Sequence, residues 1–194
     1  MRDTRLFDAI EFAARAHHGQ FRKASRVPYI LHPLNVARSL IECDASEEIV
    51  IAALLHDVVE DTTTTLDQVR AEFGDAVARL VNAMSEPNRR DKWEIRKRGT
   101  LHFLETAPQE VLLIELADKL DNVCEVRADL KREGEAVWKK FNRGREQQKW
   151  YYEQLAEVLA RRVETECGKM LAREFGEVVG EVFRKDLLDA DERG

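Results

Sequence analysis

Ile49-Val-Ile-Ala-Ala-Leu-Leu-His-Asp-Val-Val-Glu-Asp61 decides how the rest of the chain is read. Its density of apolar residues predicts a helix over 49–61 that faces protein nearly all round. Four ionisable residues nevertheless fall in its last turns. On a helix, residues four apart lie one above the other, so His56 stacks with Glu60 and Asp57 with Asp61. Burying three carboxyls and an imidazole is costly without a compensating cation. Acids are also misplaced near a helix C-terminus, where the macrodipole already presents negative charge. A divalent cation relieves both problems, so this stretch reads as half of a metal site.

The 194 residues suit one domain, or a domain over 1–160 followed by an accessory helix and tail over 161–194. With 44% apolar and 35% charged residues the chain reads as globular and helical. The net charge of −6 gives no general attraction to nucleic acid or to an anionic membrane, so an anionic substrate needs locally supplied positive charge. Cys43, Cys124 and Cys167 lie far apart with no Cys-x-x-Cys spacing, which reads as packing thiols in a reducing, cytoplasmic setting. Neither a secretory leader nor a membrane span is evident.

Around the central run the elements follow in order. An amphipathic helix over 4–18 ends at Gly19, and a loop over 19–32 carries Arg22, Lys23 and Arg26. Pro33 suits the first turn of a helix running to Glu42, which puts His32 at its entrance. Ser46 is a candidate N-cap for the central helix, with Glu47 and Glu48 in its first turn. Thr65 to Gln68 forms a capping box opening a short helix that Gly74 closes, and Thr106 to Gln109 forms a second box. The latter opens Val111-Leu-Leu-Ile-Glu-Leu-Ala-Asp-Lys-Leu-Asp-Asn122, another apolar helix with acids inside. A basic helix spans 89–105, a charged segment broken by Gly134 and Gly144 spans 131–148, and helices follow over 149–161 and 163–184. That segment reads as a lid or a surface connection, the last helix as a packing or dimer element, and the final ten residues as frayed. No strand-period segment appears, so the class is an all-α helical bundle.

His32, His56, Asp57 and Asp118 form a set of two imidazoles and two carboxylates. Such donors suit Mn²⁺, Fe²⁺ or Zn²⁺ and leave positions for water and a phosphate oxygen. Adjacent His and Asp on one helix point about 100° apart, so further ligands must come from other segments, as His32 and Asp118 do. This pattern resembles the H…HD…D signature of HD-domain metal phosphohydrolases. Gln20-Phe-Arg-Lys23, Pro28-Tyr-Ile-Leu-His-Pro33, Ala53-Leu-Leu-His-Asp-Val-Val-Glu-Asp-Thr62 and Leu116-Ala-Asp-Lys-Leu-Asp-Asn122 resemble, in order, the hydrolase domain of RelA/SpoT-type proteins and the small alarmone hydrolases.

The resemblance implies a manganese-dependent hydrolase that removes pyrophosphate from the ribose 3′ position of (p)ppGpp. It implies His32, His56, Asp57 and Asp118 as metal ligands and Glu60 with Asp61 handling the attacking water. Arg22 and Lys23 would hold the nucleotide, Asn122 would contact the ribose, and Tyr151 or Tyr152 would line the base pocket. Three positions depart from the family pattern. Cys124 stands where Arg is common, Asp121 where His or Tyr is usual, and Ser25-Arg26-Val27 replaces Ser-Gly-Glu. Asp121 thereby adds negative charge beside an anionic substrate. An adenine alarmone or NADPH as substrate, a sensing module without turnover, and a homo-oligomer all stay open.

Overall fold

The computed structural model describes residues 4–23, 25–86, 88 and 90–184. Its elements are α1 (Arg5–Ala16), α2 (Leu31–Glu42), α3 (Glu47–Leu55), α4 (Val58–Asp61), α5 (Leu66–Met84), α6 (Trp93–Leu104) and α7 (Gln109–Glu133). A 3₁₀ segment (Gly134–Lys140), α8 (Arg145–Arg162) and α9 (Glu166–Phe183) complete the chain. Among the described residues the only strand-like pairing is an isolated bridge between Phe21 and Pro28, and the fold is all-α.

The 25-residue α7 separates two apolar cores. Leu112, Leu116, Leu120 and Val123 recur at helical spacing and pack into a core with Leu155 and Leu159 of α8 and Phe175 and Val179 of α9. Leu113, Ile114 and Ala117 face the other way, into a core shared with Ala13, Val36, Leu40, Leu54 and Val77. The central run belongs to this second core: every residue from Ile49 to Leu55 is buried, and α3 touches α1, α2, α5 and α7.

The run is not one unbroken helix, however. α3 stops at Leu55, His56 and Asp57 form a turn, and α4 resumes at Val58. Asp57, at φ −99° and ψ −7°, leaves the helical spiral for the bridge region. A regular helix would splay the two side chains, whereas this turn brings Asp57 Oδ2 to 3.0 Å from His56 Nε2.

Helix ends follow local chemistry in some places and tertiary contacts in others. The box at Thr65 forms in both directions, and Gly74 at φ +85° bends α5 where a helix end is expected. The expected box at Thr106 does not form. Pro108 takes the N-cap position, and Gln109 instead donates to the Arg162 carbonyl (2.9 Å) and accepts from the Glu164 amide (3.0 Å). Ser46 occupies the N-cap of α3 without a side-chain bond.

Cys43 at the end of α2 is disulfide-bonded to Cys167 in the first turn of α9, which overturns the reading of all three cysteines as packing thiols; Cys124 is free. The partners lie 124 residues apart, too far for spacing to signal them. No helix among the described residues is long and apolar enough to cross a membrane. The expected frayed tail, 185–194, lies outside the described residues.

Candidate metal centre

Three parts of the chain meet where the two cores touch. His32 comes from the first turn of α2, His56 and Asp57 from the turn between α3 and α4, and Asp118 from the middle of α7. Donor atoms of His32, His56 and Asp118 all lie within 4.8 Å of one another, and all three residues are buried. Asp118 Oδ1 is 3.1 Å from His32 Nε2 and 3.8 Å from His56 Nε2. Asp57 Oδ2 stands 3.0 Å from His56 Nε2 and 3.7 Å from His32 Nε2.

This donor set fits a divalent cation. His56 Nδ1 is 2.7 Å from the Ala53 carbonyl, which can only accept, so Nδ1 carries a proton and Nε2 is left to face the acids. That Nε2 is buried and makes no hydrogen bond of ordinary geometry. Two imidazole nitrogens and the Asp118 carboxylate therefore converge, with Asp57 Oδ2 close to both imidazoles, on a point that demands positive charge, supplied either by protons or by a metal.

The protonation equilibria express the same demand. Burial opposes charge on His32, yet the carboxylates of Asp118 and Asp121 outweigh it and raise its pKa. Burial is likewise overcome at His56, chiefly by Asp57, and the ring is pushed up to about 9. Burial would raise Asp57, but His56 holds it well below the usual range. Asp118 is also held low against burial, mainly by Lys119 and then by the two imidazoles.

Supporting contacts surround the cluster. The Tyr29 hydroxyl donates to Asp57 Oδ2 (2.5 Å), and its ring lies 5.8 Å from that of His32. Tyr29 sits in the Pro28-Tyr-Ile-Leu-His-Pro33 motif, which was the signal available for it in the sequence. Asn122 donates to Asp118 Oδ1 (2.5 Å) and accepts from Arg22 at 2.8 Å, linking the cluster to a neighbouring cavity. That cavity, about 200 Å³, is lined by Arg22, Lys23, Asn122 and Tyr152 together with Glu125 and Phe141. Arg22 lies 5.6 Å over the Tyr29 ring and donates from Nε to Glu125 (2.7 Å), a partner that spacing did not reveal. Lys23 lies 5.5 Å over the Phe141 ring.

The other expected site residues are placed as follows. Tyr151 is apart from that cavity, packed at 5.9 Å from Trp93 with the Lys97 ammonium 5.0 Å over its ring. Glu60 and Asp61 follow the His-Asp turn on α4; Glu60 accepts from the Glu86 amide at 2.9 Å, and the Asp61 carbonyl accepts from Gln20 at 2.7 Å. Asp121, expected beside the substrate, instead faces His32 at 2.6 Å.

Arg96 and Lys97 of the basic helix pair with Glu86. Lys97 yields a prediction. Burial, with Lys119 nearby, lowers its pKa to about 8 from the usual 10.5. Between those values the unfolded chain binds more protons than the fold, so the Lys97 contribution to stability grows as pH rises through that window. A side-chain NMR titration should place the Lys97 midpoint near 8; a midpoint near 10.5 would contradict its burial.

A family model described as the HD domain matches residues 9–148. A guanosine-3′,5′-bis(diphosphate) 3′-pyrophosphohydrolase of Aquifex aeolicus is 44% identical over 117 residues, 59% of this chain but only 17% of that much longer protein. The human enzyme of the same name, MESH1, is 45% identical over 121 residues, covering 61% of this chain and 67% of its own length. A solved structure described as a metazoan ortholog of SpoT that hydrolyzes ppGpp superposes with a TM-score of 0.71 at 27% identity, covering 97% of this chain and 98% of the other. With this match across the cluster and both cores, the chain belongs to the HD-domain family, on the branch shared with SpoT and MESH1.

Proposed function

We propose that this protein is a divalent-metal-dependent (p)ppGpp 3′-pyrophosphohydrolase, which adds water across the ester joining the ribose 3′-oxygen to diphosphate and releases pyrophosphate with GDP or GTP. The observation that carries this reading is the joining, through Asn122, of the His32, His56, Asp57 and Asp118 cluster to a cavity walled by Arg22 and Lys23. We take the four cluster residues as ligands and manganese as the ion, supported by the mixed nitrogen and oxygen donors. When bound, such an ion supplies Lewis acidity towards water and phosphate oxygens.

The remaining work falls to the chain. Glu60, just beyond the His-Asp turn, accepts the proton of the attacking water, with Asp61 beside it. Arg22 offers its guanidinium plane to the purine, because Glu125 and Asn122 already occupy its edge. Lys23 meets phosphate as a point charge, Asn122 touches the ribose, and Tyr152 closes the base cavity. Phosphoryl transfer depends mostly on positioning and charge neutralisation, which these residues supply. We take residues 1–160 as the catalytic body, with α9 completing its core against α7 and α8.

The test is pyrophosphate release by metal-stripped protein reloaded with Mn²⁺, Fe²⁺ or Zn²⁺ and given ppGpp, its adenine counterpart or NADPH. Turnover of ppGpp with Mn²⁺, yielding equal amounts of GDP and pyrophosphate, is expected. Cleavage of NADPH or the adenine compound with ppGpp untouched would reassign the substrate. No turnover with any ion would leave a binding module.

A further inference from the structure

We infer that Asp121 is a positioning residue for the metal centre: through His32 it fixes which imidazole nitrogen faces the ion and holds that ring in place. The inference rests on the metal-centre reading above and goes beyond its ligand set. Asp121 follows Asp118 by three residues on α7, so both carboxyls project from neighbouring parts of one helix face. Asp118 points into the cluster, while Asp121 meets the far side of the His32 ring, Oδ2 to Nδ1 at 2.6 Å. Its other oxygen, Oδ1, accepts from Asn35 at 3.0 Å, and Asn35 lies one turn after His32 on α2. Both carboxylate oxygens are thus held by α2 side chains, and α2 and α7 are clasped across the residue that presents His32.

The chemistry of that clasp is directional. A carboxylate accepts only, so Nδ1 of His32 must be the donor and Nε2 the atom turned towards Asp57, Asp118 and His56. His56 reaches the same arrangement by another route, its Nδ1 donating to the Ala53 carbonyl. One imidazole is therefore oriented by a neutral carbonyl and the other by a charged carboxylate, which also makes the ring a stronger donor to a cation. A side chain dedicated to substrate would not have both oxygens committed to α2. Asp121 accordingly acts on the ion's affinity.

The experiment compares the metal-free parent protein with Asp121→Ala and Asp121→Asn by calorimetric titration with Mn²⁺, and records the imidazole nitrogen resonances of His32. The alanine variant should bind Mn²⁺ about 10–100-fold more weakly and lose the single His32 tautomer. The asparagine variant, whose side-chain oxygen still accepts from Nδ1–H, should keep that tautomer with a smaller loss. At saturating Mn²⁺ the KM for nucleotide should not rise in either variant. Alanine-variant affinity within twofold of the parent, or a raised KM at saturating metal, would overturn the assignment while leaving the metal centre intact. A parent protein that binds no divalent ion would overturn both. Should the alanine variant fail to fold, the asparagine variant decides: a retained tautomer with reduced affinity supports the role, and unchanged affinity refutes it.

Discussion

Exchange of Asp118 for alanine is expected to abolish tight metal binding and to lower stability by about 3–5 kcal/mol. No other ligand candidate is so heavily committed. Its Oδ1 faces both imidazoles and accepts from Asn122, while its Oδ2 pairs with the Lys119 ammonium. Lys119, its side chain only 18% exposed, is held well above the usual lysine pKa against burial, chiefly by Asp118 and then Glu115. Removing the carboxylate leaves a buried ammonium and two imidazoles short of negative charge, so the metal-free protein suffers as well as the loaded one. Urea unfolding of the metal-free variant reads the stability loss, and calorimetry reads the metal. Parent-like affinity for Mn²⁺ in this variant would remove Asp118 from the ligand set.

The second large effect is expected of Glu60→Gln. The amide keeps an oxygen to accept from the Glu86 amide, so α4 and the loop after α5 stay joined. It cannot take a proton from water, and turnover should fall by about 10²–10⁴-fold with metal content and nucleotide affinity near those of the parent. Full activity in this variant would pass the proton-accepting role to Asp61. Loss of metal along with activity would mean that Glu60 belongs to the ligand shell.

Much of the site was legible because its parts are short segments with their own local signature. The apolar run ending in His56 and Asp57, and Asp118 inside Val111 to Asn122, put charged groups where burial alone does not favour them, while His32 was legible through its place in the Pro28 to Pro33 motif. The all-α class followed from helical periodicity in the same segments. What stayed hidden depends on pairs separated along the chain. Asp121 meets His32 across 89 residues, Arg22 meets Glu125 across 103, and Cys43 meets Cys167 across 124. Read alone, Asp121 was a stray charge near substrate; only the packing of α2 on α7 shows that it is spent on a histidine.

The break after Leu55 was hidden for a different reason. Val58 and Val59 continue the apolar pattern through it, so periodicity cannot register a turn whose purpose is to bring neighbouring side chains together. The failed capping box at Thr106 shows the limit of local rules from the other side. Gln109 finds better partners in the connection between α8 and α9 than in its own helix start.

The wall that α7 builds between the two cores has a corollary. In the proposed function Asp118 and Asn122, one turn apart on α7 and hydrogen-bonded to each other, serve ion and nucleotide from one helix, so a small rotation of α7 would retune both affinities together. By reciprocity, whatever nucleotide binding does to the ion's affinity, the ion does to the nucleotide's. Leu112 and Leu116, buried on the face of α7 turned towards α8 and α9, set how that helix is seated, so their packing bears on ion and nucleotide at once.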